Sequence, residues 1–97
     1  VHEARHTIRG EPGHFDCTRG KHKGKNVCDL RLGKEELLMY GSGNSFEFLF
    51  LLYLRSHPEA SDLMKKEAQS QLNYLASHMF NELEPGILDY YDIKLED

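Results

Sequence analysis

The chain has no apolar run long enough to cross a membrane. Its longest, residues 46–54 (FEFLFLLYL), holds one charged side chain, Glu47, and falls far short of the roughly 18 to 20 apolar residues a spanning helix needs. The first stretch, VHEARHTIRGEPGH, has no apolar segment of the kind a secretory leader carries. No membrane association is expected, and a cytoplasmic location is. No repeat, low-complexity segment or linker divides the chain. The GSGNS segment at 41–45 lacks the lysine and the glycine spacing of a P-loop, and reads as a helix start. No Glu-x-Lys element follows Asp29, so Asp16 and Asp29, expected as outward cross-strand neighbours, do not make a metal-dependent nuclease motif. Arg31 or Arg19 is the expected partner of their charge.

What is present suits one small globular domain covering 1–97, with residues 1–10 loose. Hydrophobic residues at 39 % and charged residues at 29 % are ordinary for a packed core and too apolar for a disordered segment. Net charge is −4, but unevenly spread. Residues 1–34 hold eight Lys or Arg against four Asp or Glu, and four of the six histidines; residues 35–97 hold four against twelve. Such polarity predicts a charged partner at one end or the other.

Alternation marks the strands. Residues 14–18 place Phe15 and Cys17 on one face, and residues 26–32 place Cys28, Leu30 and Leu32 on one face. The glycine-rich, charged stretch between them reads as a hairpin loop. A symmetric register puts Phe15 opposite Leu30 and Cys17 opposite Cys28, with both cysteines facing the core. Residues 7–9 are a candidate edge strand, and 36–40 a third strand. Asn44 followed by Glu47 has the form of a capping box, predicting a helix over 45–56 that is apolar nearly all round and therefore central in the domain. A second helix is predicted over 59–83 from Ala60, Met64, Ala68, Leu72, Leu75, Met79 and Leu83, with Ser61 or Asp62 near its start. Lys65, Lys66, Gln69, Asn73 and Asn81 lie on its polar face. Tyr91, Ile93 and Leu95 alternate with charged residues and predict a terminal strand. The expected fold is α+β: an N-terminal antiparallel meander, two helices on one face of it, and a C-terminal strand joining the sheet.

Several groups could carry function. Arg19, Lys21, His22, Lys23 and Lys25, spaced by Gly20 and Gly24, form a basic hairpin tip able to follow a phosphate backbone, since each cation needs only proximity. Base reading wants aromatics as well, and the loop has none. A non-enzymatic domain binding nucleic acid or another polyanion through this loop is the leading expectation. The alternative is an inhibitor or immunity-type module acting through an acidic, aromatic surface of Glu84, Asp89, Tyr90, Tyr91 and Asp92. A third is a small metal-independent RNase, in which histidines such as His14 and His22 supply acid and base beside the cations. No cofactor is expected, with zinc as the exception to test. His14, Cys17, His22 and Cys28 offer two imidazoles and two thiolates, a full tetrahedral set, against free cysteines packed in the core or a cross-strand disulfide. The spacing resembles the zinc knuckle pattern, with His in place of the first Cys and one extra residue before the last.

Overall fold

The computed structural model describes residues 14–34 and 43–96. Along them run β1 (Phe15–Asp16), β2 (Asn26–Leu32), α1 (Gly43–Ser56), α2 (Asp62–His78), β3 (Phe80–Leu83) and α3 (Ile87–Tyr91). The α+β class is as expected: a three-stranded sheet in the order β1-β2-β3, with α1 and α2 packed against each other and on the sheet. No helix of the described residues is long and apolar enough to cross a membrane. The expected strands over 7–9 and 36–40 lie outside the described residues.

The sheet is mixed. β2 is its centre, antiparallel to β1 and parallel to β3. Phe15 pairs with Cys28 and Asp16 with Asn26, with a register irregularity between the two steps, so Phe15 does not face Leu30 and both of these side chains are exposed. Nor is the outward position of Asp29 retained. Asp29 is buried, and its Oδ2 accepts from the N–H of Ser45 at 3.2 Å. A strand carboxylate thus meets one of the unpaired amides of the first turn of α1, where negative charge is also favoured by the helix dipole. That contact explains why Cys28 and Asp29, adjacent in the strand, are both buried.

Helix α2 begins at Asp62, three residues after the expected 59, with Ser61, one of the two expected start residues, as N-cap and its side chain accepting from the N–H of Met64 at 3.1 Å. It ends five residues early, at His78. Backbone pairing overrides the helical period there: the carbonyl of Met79 accepts from Asp29 and the carbonyl of Leu32 from Glu84, each at 2.9 Å. Residues 80–83 therefore become β3, and Phe80 enters the core.

The alternating tail at 91–95 is not a sheet strand. Ile87–Tyr91 is helical, and the chain from 92 to 96 lies along α2, where Gln69, Asn73 and Ser77 engage it in turn. Gln69 Nε2 donates to the carbonyl of Asp92, while the N–H groups of Lys94 and Glu96 donate to Asn73 Oδ1 and Ser77 Oγ. The match is geometric: four helical residues rise about 6 Å, and two extended residues about 6.6 Å. A row of polar side chains on the helix substitutes for a partner strand, and only Ile93 of the alternating apolar set is buried with the core.

The core gathers Leu32, Phe48, Leu72, Leu75, Phe80 and Ile87. Phe48 meets Phe80 and Tyr91 edge to face, with centroids 6.1 and 5.4 Å apart. The central position expected of 45–56 does not hold for the whole helix. Phe48 is fully buried, but Phe46, Phe50 and Tyr53 are 40, 44 and 63 % exposed. Among the described residues, a three-stranded sheet and one neighbouring long helix cover only one side of a 14-residue helix, however apolar the other side is.

Candidate nucleic-acid interface

The loop between β1 and β2 is closed by a disulfide between Cys17 and Cys28, both buried. Inside that ring the backbone folds on itself: Cys17 N–H donates to the carbonyl of Lys25, Gly24 to Cys17, Lys25 to His22 and Lys23 to Gly20. Gly20 and Gly24 adopt positive φ, +79° and +90°. At Gly20 glycine is required twice, because a Cβ would also sit 2.9 Å from His78 Cα and the carbonyl oxygen of Ser77.

The ring is fastened to the C-terminal turn of α2 and to β3. Arg19 sends its guanidinium onto the end of the helix, Nη1 to the carbonyl of Ser77 at 2.9 Å and Nη2 to that of Ala76 at 2.6 Å. Those carbonyls lack intrahelical partners, and a cation there also suits the helix dipole. Burial lowers the Arg19 pKa, though an arginine stays charged in any ordinary protein environment. Lys21 N–H donates to His78 Nδ1 at 2.9 Å, so His78 carries its proton, when neutral, on Nε2, which lies 3.6 Å from Glu96 Oε1. Asn81 of β3 accepts from Thr18 N–H and donates to the carbonyl of Asp16.

His22 completes the attachment, its Nε2 sharing a hydrogen bond with the Tyr74 hydroxyl at 2.5 Å. The Tyr74 and His78 rings stand edge to face at 5.0 Å, and Lys21 Nζ is 5.9 Å from the Tyr74 centroid. Burial against these rings lowers the His22 pKa, and the charges of Lys25, Lys21 and His78 lower it further.

The five loop residues singled out by their charge thus divide. Arg19 is turned inward as a helix cap, whereas Lys21, Lys23 and Lys25 are exposed and His22 is half-buried at their base. Beside them opens a cleft of about 370 Å³, walled by His22, Lys25, Val27, Asn44, Glu47, Gln71, Tyr74, Leu75 and Met79. Tyr74 and Gln71 carry no charge that would mark them in the sequence. The signal available was that Gln71, Tyr74 and His78 fall on one helical face beside the Leu72, Leu75 and Met79 stripe.

The zinc set is not assembled. Cys17 and Cys28 are bonded to each other and have no thiolate to offer, His14 Nδ1 lies 3.5 Å from Asp29 Oδ1, and His22 is engaged with Tyr74. Among the described residues no group of three or more His, Cys, Asp or Glu is placed to hold a metal. Of the histidines behind the RNase reading, His14 lies beside Asp29 and His22 beside Tyr74, while His2 and His6 lie outside the described residues; His22 and His78 have centroids 6.5 Å apart.

On the acidic side, Tyr91 is half-buried against Phe48, and its pKa is raised by that burial, then by Tyr90 and Glu84. Tyr90 is exposed, with Lys34 Nζ 4.7 Å from its ring centroid, and Glu84 accepts from the N–H of Lys34. Asp89 and Asp92 are exposed.

Comparison with known proteins finds no matching family model, no matching curated protein and no matching solved structure.

Proposed function

We propose that this protein is a non-enzymatic domain that binds the phosphate backbone of a nucleic acid, or a similar polyanion, through Lys21, His22, Lys23 and Lys25. The supporting observation is the way the loop is held. Arg19 caps α2, the disulfide closes the ring, and three lysines project from a backbone already fixed by its own hydrogen bonds. A preformed cationic loop loses little conformational freedom on binding. Tyr74 adds the aromatic surface that the loop sequence lacks, and an aromatic beside a basic track is what single strands stack on. The acidic remainder of the chain repels a polyanion, which confines binding to this end.

The test is binding of labelled RNA and DNA oligonucleotides at low salt, followed by Lys21→Ala, Lys23→Ala and Lys25→Ala together. Loss of affinity in the triple variant with an unchanged melting temperature supports the reading. No binding by the unaltered protein contradicts it.

A protein partner on the acidic side is a second reading, favoured by the exposed ring of Tyr90 between Asp89 and Asp92. Its aromatic anchor is Tyr90 alone, since Tyr91 contributes to the core. As to location, buried disulfides persist in oxidising compartments and are rare in the cytosol. The reading therefore places the protein where its loop stays oxidised, in preference to the cytoplasm.

A further inference from the structure

The cleft beside the basic loop has a composition that a phosphate track does not need. Its lining is apolar in Val27, Leu75 and Met79, cationic in Lys25 with His22 beside it, and polar in Glu47, Gln71 and Asn44. Its volume of about 370 Å³ lies within the roughly 300 to 1,000 Å³ of small-molecule sites, which share this pattern of an apolar body and a few polar groups. Glu47 is half-buried, and among the described residues its carboxylate has no hydrogen-bond or ion-pair partner. Asn44 is 1 % exposed and held by Nδ2 donating to the carbonyl of Val27 at 3.0 Å, which fixes the orientation of the amide; its Oδ1 has no partner among the described residues.

This lining asks for a ligand with three properties: an apolar body, hydrogen-bond donors for Glu47, and a negative charge for Lys25. A carboxylate rejects phosphate, so the negative charge of the ligand belongs at Lys25 and its donors at Glu47. A nucleotide has that polarity. We propose that the cleft receives one unpaired base of a bound single strand, and that Glu47 selects guanine.

The selection follows from the edges of the bases. Guanine alone presents two adjacent donors, N1–H and the N2 amino group, matching the two oxygens of a carboxylate, and such paired charge-assisted bonds are the stronger kind. Adenine and cytosine set a ring acceptor beside their amino group, which a carboxylate repels. Uracil and thymine offer one N–H between two carbonyls. A base within a duplex has this edge occupied, so the site requires a single strand or a loop.

This inference rests on the polyanion reading, and the experiment separates the two. Fluorescein-labelled oligouridine ten-mers carrying one central guanine, adenine or cytosine are titrated at 50 mM salt, with guanosine monophosphate followed in parallel through the methyl resonances of Val27 and Met79. The expected result is tighter binding of the guanine strand by on the order of tenfold, with shifts of both methyls. Glu47→Gln should abolish the preference while leaving the salt dependence intact; Glu47 is half-exposed on a helix, and the variant's thermal melt confirms that it folds. Equal affinity for all three strands, a preference that survives Glu47→Gln, equal binding of a blunt duplex, or methyls that guanosine monophosphate leaves unmoved would each overturn the base pocket without touching the phosphate reading. Failure of every oligonucleotide to bind would overturn both.

Discussion

Gly20 shows how narrowly the basic loop is specified. Its positive φ disfavours any side chain by about 1 to 2 kcal/mol, and a Cβ there would press on the backbone of Ser77 and His78, an overpacking that adds about 1 to 3 kcal/mol. Gly24 has positive φ but open space around it. Urea unfolding should therefore rank Gly20→Ala well below Gly24→Ala, and equal losses would mean that the loop does not sit against α2. His22 is the loop residue whose proton is linked to folding. With its pKa lowered from the ordinary 6.5 by burial and by Lys25, Lys21 and His78, the folded protein holds this proton less tightly than the unfolded chain. Its contribution to stability is present above pH 6.5 and is lost as pH falls through the lowered value. Polyanion affinity runs the other way, because a protonated His22 adds a cation to Lys21, Lys23 and Lys25. NMR titration should place His22 below 6.5, and binding should strengthen as pH falls through that point in the parent but not in His22→Asn.

Among the elements, the disulfide ring and the tail on α2 carry the most specific expectations. Cys17→Ser with Cys28→Ser opens a ring of sequence separation 11, and a cross-link over a loop of this size contributes about 2 to 4 kcal/mol. Calorimetry should show that loss together with weaker oligonucleotide binding, since the lysines would no longer be held in advance. Asn73 Oδ1 accepts from both Lys94 N–H and Gln69 Nε2. Asn73→Ala should release the chain at 92–96 to rapid hydrogen exchange while Leu72 and Leu75 keep the helix core protected. Exchange at 92–96 unchanged from the parent would contradict the side-chain ladder.

These elements also mark where sequence periodicity succeeds and fails. The start of α2 was legible because Ser61 caps locally, and the heptad-like stripe through Leu72 and Leu75 buries as expected. Its end was not, because Met79 and Leu83 continue the helical period while the carbonyls of Met79 and Leu32 recruit the chain into a sheet 50 residues away in sequence. The alternation at 91–95 was real, yet its partner is a row of amides and hydroxyls that alternation cannot identify. In the loop, charge alone could not divide Arg19 from Lys21, Lys23 and Lys25, since the division depends on where the end of α2 lies in space. Tyr74 and Glu47 enter the site for the same reason.

At the scale of the molecule, the cationic loop is bordered by a cleft, while the acidic C-terminal stretch is mostly exposed side chains with Tyr90 among them, and its Glu96 reaches His78 at the base of the loop. A net charge of −4 limits non-specific attraction to polyanions, so binding through the loop should be salt-dependent. Three to four neutralised phosphates on a single strand correspond to a log–log slope of about −2 to −3. The most direct test is the salt dependence of single-stranded oligonucleotide binding, measured by fluorescence anisotropy for the parent and for the Lys21→Ala, Lys23→Ala, Lys25→Ala variant. The account predicts a slope in that range for the parent, collapsing toward zero in the variant. A parent that fails to bind at low salt, or a variant that keeps the parent's slope, would contradict it.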